Sequence, residues 1–175
     1  MQPPTDNERD AGDAIDEIRE QWQRLRPDLD VDVIDIVGRL SRAAALIVRA
    51  SDLLLSRYEL TRGEFDILTA LRRTGTPQSP GALRTVGLAT GPATTKRLRS
   101  LVARGYVERS VNPADGRGAL IALTPAGREL IDEVFPSVLR LERDLMRDVP
   151  GDEWPAAVDA LRRIVGSVET HAEIT

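Results

Sequence analysis

The segment from Ser79 to Arg117 constrains the fold of this chain more than any other. Ser79 precedes a proline, a pairing typical of a helix start, and Thr90 is placed to cap a second short helix that ends at Gly105. Two short apolar segments then flank a loop, residues 112–118, that is rich in turn-forming residues. This order predicts a helix-turn-helix followed by a β-hairpin wing, an arrangement that places a short helix in the DNA major groove.

The second helix of this motif has two chemically different faces. Thr94, Leu98 and Leu101 recur at helical spacing and are expected in the core. Side chains on the other face are expected to meet base edges and phosphates, and the two helix caps and a wing arginine add further backbone or minor-groove contacts. The ordinary alternative is that these are solvated groups on an exposed helix. The predicted DNA-binding residues are Ser79, Thr90, Ala93, Thr95, Lys96, Arg99 and Arg117.

The charge distribution supports the DNA interpretation. The 175-residue chain has a formal net charge of −4, yet residues 91–117 hold six cations and two anions. A basic segment on an acidic body orients a protein toward a polyanion while limiting nonspecific binding. We therefore expect double-stranded DNA as a partner.

Most of the remaining chain is predicted to be helical. The fold class is mainly α with a small β-hairpin wing (α+β), that is, a winged helix-turn-helix with a helical dimerisation region. Helices are expected over about 13–26 and 32–58, from Thr61 onward, from Thr124 to about 147 with a bend at Pro136, and over about 152–170.

The predicted organisation has four parts within one domain. Residues 1–12 are a polar, disordered tail. Residues 13–58 form N-terminal helices that serve as a dimer lobe and possible ligand cover, 59–124 form the winged helix-turn-helix, and 125–175 form C-terminal dimerisation helices. The apolar faces outside the motif exceed what a winged-helix core needs, which favours a two-fold homodimer on a palindromic site. A monomer with a larger helical core is the alternative.

Several function classes lack the residues they require. The chain has no Cys and one His, His171, near its end. It contains no Gly-rich phosphate loop and no metal-ligand motif, so we expect no enzyme, no cofactor and no metal. No apolar run is long enough for a membrane span and no secretory signal is visible, so a cytoplasmic protein is expected. A winged-helix module that binds proteins instead of DNA remains an alternative.

Four sequence motifs together resemble the MarR family of bacterial winged-helix transcription regulators. They are LTRGEFDIL at 60–68, GYVER at 105–109, NPADGR at 112–117 and LTPAG at 123–127. The resemblance covers about residues 32–170 and implies a DNA-binding dimer whose default action is repression. The absence of Cys excludes the cysteine-based redox sensing of some relatives.

A smaller set of residues resembles the urate-responsive subgroup of that family. Members carry an extra N-terminal helix with a Trp, an Asp before the reading unit and two arginines, which match Trp22, Asp66, Arg97 and Arg109 in type and order. The resemblance implies a site for a small flat anion, either purine-like or a carboxylate. The ordinary alternatives are a helix-anchoring Trp22, an Asp66 that stabilises a helix start, and an Arg109 that contacts Glu108 or DNA.

Arg97 suggests how such an anion could act. Its spacing places it beside the buried face of its helix, where a guanidinium needs an anionic partner. Asp66 is a candidate partner. An anion that displaced Asp66 from Arg97 would shift the reading helix, and such coupling between two sites commonly changes affinity about 5- to 150-fold.

Overall fold

The computed structural model describes residues 12–86, 91–113 and 118–171. Thr90, Arg117 and nearly all of the tail predicted to be disordered lie outside these ranges. Over the described residues the chain forms, in order, α1 (Ala14–Leu25), α2 (Val33–Leu55), a 3-10 turn (Ser56–Tyr58), α3 (Arg62–Thr74), α4 (Pro80–Val86), α5 (Gly91–Ala103), β1 (Val107–Val111), β2 (Ala119–Leu123), α6 (Pro125–Leu145) and α7 (Trp154–His171).

The predicted fold class is confirmed: the chain is mainly helical and its strands form one antiparallel hairpin. One helix end differs from the prediction: the long second helix, expected to reach about residue 58, ends at Leu55. The chain then tightens into the 3-10 turn, which ends at Glu59 in the left-handed region (φ 55°). α6 runs unbroken through Pro136. Among the described helices, none combines the length and the apolar character that a membrane span requires.

The described chain divides into two compact units, one ending at Arg62 and one beginning at Gly63. In the first unit, α1 packs closely on α2, where Ile15 lies over Gly38; a Cβ added to Gly38 would be 3.1 Å from Ile15 Cγ2. Arg39 of α2 reinforces this contact, since its guanidinium binds Asp13 Oδ2 at 3.0 Å and Asp16 Oδ1 at 2.7 Å. The hydrogen bond from Arg39 holds the pKa of Asp16 below its ordinary value. Close packing against Gly38 and the ion pairs of Arg39 thus hold α1 on α2.

The second unit contains the helix-turn-helix and the wing. Strand β1 pairs with β2 in a register that sets Val107 opposite Leu123 and Arg109 opposite Ile121. Gln78, just before α4, exchanges two backbone hydrogen bonds of 2.9 Å with Ile121, which ties the start of the motif to the wing. The core of this unit is made by buried aliphatic and aromatic side chains of every element except α7, including Phe65, Leu68, Leu71, Leu83, Leu98, Leu101, Val107, Ile121, Ile131, Val134 and Val138.

One junction fixes the wing to α6. Gly105 ends α5 with φ of +73°, a conformation that favours glycine. The Thr124 hydroxyl donates to the Gly105 carbonyl at 2.7 Å and accepts from the Gly127 N–H at 3.0 Å, capping α6 as the sequence predicts. A Cβ at Gly127 would overlap the Tyr106 carbonyl oxygen. Only glycine lets α6 approach the chain this closely.

The Gly127→Ala substitution is expected to lower the free energy of unfolding by about 1–3 kcal/mol, because the added methyl group must displace backbone. Gly166→Ala is the matched control: no atom lies within 4 Å of an added Cβ there, and alanine is favoured over glycine in helices by about 1 kcal/mol. Urea denaturation followed by circular dichroism measures both. Equal stability of Gly127→Ala and the parent protein would show that the junction is not close-packed in solution.

Candidate nucleic-acid interface

Helix α5 presents the two faces that the sequence predicts. Thr94, Leu98 and Leu101 are only 4%, 7% and 0% exposed, which confirms them as core residues. Because these side chains hold one side of the helix inside the second unit, the opposite side must face outward. The geometry of the core therefore determines which residues of α5 a ligand could reach.

The outward side of α5 carries Thr95, Lys96 and Arg99, all exposed, with Ala93 half-buried beside them. The Thr95 hydroxyl donates to the Gly91 carbonyl at 2.9 Å. Within the described part of the chain, the side chains of Lys96 and Arg99 make no hydrogen bond or ion pair, so their charges are available to a polyanion. The surface has the composition of a phosphate-contacting and base-contacting helix.

Two further predicted DNA contacts are N-cap residues. The Ser79 side chain accepts from the Ala82 N–H at 3.2 Å, as expected for the cap of α4. Thr90 lies outside the described residues, as does Arg117 of the wing. Their roles stay predictions.

A cavity of about 500 Å³ separates α5 from the wing. Its floor is apolar and includes Leu98 and Ile121, while the two cations on its walls are Arg99 and Arg109. Arg109 is exposed and extends from β1 on the same strand face as Val107. The complete lining is Pro80, Thr95, Leu98, Arg99, Val102, Ala103, Arg109 and Ile121.

Arg97 lies on another side of α5. With about 100° per residue, it projects roughly 160° away from both Thr95 and Arg99. Its guanidinium lies against the backbone of Gly63 in the first turn of α3, and a Cβ at Gly63 would overlap the guanidinium atoms. Gly63 therefore provides the space into which Arg97 fits.

Arg104, the first residue after α5, makes a second contact with α3. Its guanidinium is 4.0 Å from a carboxylate oxygen of Glu64, which is 6% exposed, and stands 5.0 Å from the centre of the Tyr106 ring. The sequence analysis did not predict that Gly63 and Glu64 of α3 contact Arg97 and Arg104. A spacing of seven residues between Arg97 and Arg104 is two helical turns and could have placed both on one face.

The four predicted anion-site residues are distributed as follows. Asp66 is half-buried on α3, one helical turn after Gly63, the residue whose backbone Arg97 contacts. Arg109 lines the cavity with Thr95 and Arg99. Trp22 is on α1 of the first unit and is 46% exposed. The structure thus sets the two arginines on different sides of α5, and the four-residue site stays a prediction.

No cluster of three or more His, Asp or Glu side chains that could hold a metal ion occurs among residues 12–86, 91–113 and 118–171. The polar groups exposed on the outward side of α5 are one hydroxyl group and two positive charges, which can bind an anion.

Comparison with known proteins identifies the family. A profile of the MarR family matches residues 58–118. The HTH-type transcriptional regulator PecS of Dickeya dadantii is 36% identical over 159 residues, which is 90% of this chain and 93% of that protein. The chain belongs to the MarR family. Its matched relatives are transcriptional regulators, in agreement with the expectation that it is not an enzyme.

Solved MarR-family structures share the fold. A mutant of Escherichia coli MarR complexed with operator DNA has a TM-score of 0.66 and 26% identity, covering 82% of this chain and 96% of that one. Bordetella bronchiseptica BpsR, whose DNA binding is regulated by 6-hydroxynicotinic acid, has a TM-score of 0.68 and 27% identity over 75% of this chain and 98% of its own. The described chain is therefore a MarR-type winged helix, and its family supports a DNA-binding regulator.

A double-mutant cycle tests the contact between Arg97 and Gly63. We expect Gly63→Ala and Arg97→Ala each to weaken binding to a specific DNA duplex about three- to thirtyfold, because each removes the same interaction that orients α5. The double variant should bind no more weakly than Arg97→Ala alone. Fluorescence anisotropy with labelled duplex measures all four proteins, and additive losses would show that the two residues act independently.

Proposed function

We propose that this MarR-family protein is a homodimeric repressor that reads a pseudo-palindromic operator with α5 and leaves it when a small anionic metabolite binds. It would act in the cytoplasm, on double-stranded DNA. The observation that carries the proposal is the division of α5 between a buried face and an outward face with Thr95, Lys96 and Arg99.

The apolar surface of α7 supports the dimer. No residue of this 18-residue helix is buried in the single chain. Its large apolar side chains are spaced alternately by four and three residues, the spacing with which one helix packs along another. A second copy of the chain is the simplest cover for this stripe, and two-fold dimers are the commonest assembly. The stripe consists of Trp154, Val158, Leu161, Val165 and Val168, all at least 41% exposed.

Separate groups support the anionic ligand. Arg97, on α5, contacts α3, and Arg109 adds a cation to the cavity beside α5. An anion bound to either guanidinium group would therefore lie next to the reading helix. Trp22 and Asp66 complete the set that resembles urate-responsive relatives. The regulation of BpsR by 6-hydroxynicotinic acid, itself a flat carboxylic acid, is in keeping with this ligand class.

The DNA-reading role is tested by charge removal on α5. A duplex selected by the protein from a random pool is titrated at several salt concentrations. Lys96→Gln and Arg99→Gln are each expected to weaken binding. Each should also reduce the magnitude of the slope of log affinity against log salt by about 1.8, twice the value of about 0.9 for one phosphate contact, because the dimer carries two copies of each residue. Arg162→Gln, which removes an exposed arginine of α7, is the control and should leave the slope unchanged.

The same titration tests ligand release and the alternative function. With urate, xanthine, citrate or trans-aconitate present, at least one anion should weaken binding by the parent protein, while Arg97→Ala should still bind DNA at higher protein concentration but no longer respond. A normal response of Arg97→Ala would contradict the proposed coupling. If the random pool yields no specific duplex, a winged-helix module for protein partners becomes the better account.

A further inference from the structure

We propose that Pro92 and Thr95 of α5 select thymine in the operator, by apolar contact with the C5 methyl group of that base. This selection rests on the proposed function, because it requires α5 to lie in the major groove. Pro92 is not among the residues that the sequence predicts to contact DNA. In the structure it is an exposed residue of the first turn of α5.

Exposed residues at helical spacing form one stripe along the outward side of α5. The stripe consists of Pro92, Thr95, Lys96 and Arg99. At about 100° per residue, Pro92 projects within about 20° of Arg99. Thr95 and Lys96 lie on either side of this line. Ala93 lies about 120° from Arg99, which agrees with its half-buried state. A DNA groove that receives Arg99 therefore also receives Pro92.

The side chain of Pro92 offers only apolar atoms to a base. Its ring replaces the backbone N–H, which in the first turn would have no acceptor within the helix. The helix therefore tolerates a proline at this position but does not require one. Because the ring is exposed on the outward side, the feature of the major groove that it suits is an apolar one.

The hydroxyl group of Thr95 is already used within α5. It donates to the Gly91 carbonyl at 2.9 Å, so while this bond holds it has no hydrogen to donate to a base. The base acceptors that it cannot then serve are N7 and O6 of guanine, N7 of adenine and O4 of thymine. The groups of Thr95 that remain available are its γ-methyl group and the lone pairs of its oxygen.

Thymine is the base that these groups fit. Of the four bases of DNA, it alone presents a methyl group in the major groove, and small apolar side chains contact that group. Pro92 and Thr95 are three residues apart and are therefore neighbours on the helix surface. Their apolar groups can pack against one thymine methyl group or against two adjacent ones.

The two cations of the stripe supply the complementary chemistry. Lys96 and Arg99 can donate to guanine or to a phosphate group. Pro92 and Arg99 are about 10 Å apart along the helix axis, at about 1.5 Å per residue, and this length spans about three base pairs. The sensitive thymine is therefore expected within about three base pairs of the position that Arg99 contacts.

The experiment measures binding of the full-length protein to the selected duplex by fluorescence anisotropy. Each thymine of one half-site is replaced in turn by deoxyuridine, which lacks only the C5 methyl group. We expect one thymine, or two adjacent ones, to be sensitive. Each such replacement should weaken binding by about three- to fivefold, the effect of losing one buried methyl group. Replacement of the other thymines should leave the affinity unchanged.

Two variants of Thr95 separate its methyl group from its hydroxyl group. Thr95→Ser keeps the hydroxyl but lacks the methyl group, so its affinities for the thymine and deoxyuridine duplexes should differ by less than about twofold. Thr95→Val keeps a methyl group and should still distinguish the two duplexes. Pro92→Ala removes the ring but supplies a good helix former, and it should reduce the distinction as Thr95→Ser does.

Thr170→Ser is the matched control. The Thr170 hydroxyl also donates to a glycine carbonyl four residues earlier, that of Gly166 at 2.8 Å, at an exposed position of α7. This variant should distinguish the two duplexes as the parent protein does.

Several results would overturn the proposal. They are half-sites without thymine, no effect of deoxyuridine at any thymine, an undiminished distinction in Pro92→Ala, or a distinction kept by Thr95→Ser and lost by Thr95→Val. The last result would assign the contact to the hydroxyl group. Specific binding of the selected duplex in any of these cases leaves the proposed function standing, whereas failure to select a duplex contradicts both.

Discussion

The packing of α5 against the core of the second unit determines which of its residues form the DNA-reading surface. Leu98 and Leu101 bury one side of the helix, and burial of such side chains contributes about 1.5–3 kcal/mol each. Arg97 adds direction to this packing, because its guanidinium fits only where Gly63 leaves room on α3. Arg104, seven residues after Arg97 and directly after the end of α5, approaches a buried carboxylate of α3. With this side fixed, the polar side of α5 has one orientation available to it.

The supports of α5 extend through the whole second unit. The wing strand β2 is hydrogen-bonded to the chain ahead of α4, and the end of β2 passes directly into the cap of α6. α6 in turn packs on α3 through Phe135 and the ion pair between Arg72 and Asp132. Each element of the second unit thus positions the next, and the contacts that hold α5 extend beyond the residues of that helix.

Sequence patterns were sufficient for the fold and for the two faces of α5, because helical spacing and cap residues are local signals. Ser79, Gly105 and Thr124 mark element ends by their own backbone and side-chain preferences. The contact between Arg97 and Gly63 could not be predicted from the sequence, because glycine has no side chain that indicates a contact and contributes only the space that it leaves. The ion pair between Arg72 of α3 and Asp132 of α6 joins residues 60 positions apart, which no local pattern brings together.

DNA cleavage from a single position on α5 shows whether α5 is the helix that reads DNA. The chain has no cysteine, so Thr95→Cys provides one attachment point for an iron chelate that cuts nearby DNA. We expect two clusters of cuts on the selected duplex, separated by about one helical turn, or 10 base pairs, or a multiple of it, as for a two-fold dimer. Asp159→Cys on α7 is the control and should give no such pattern. Uniform cutting from Thr95→Cys, or the same pattern from both positions, would contradict α5 as the reading helix.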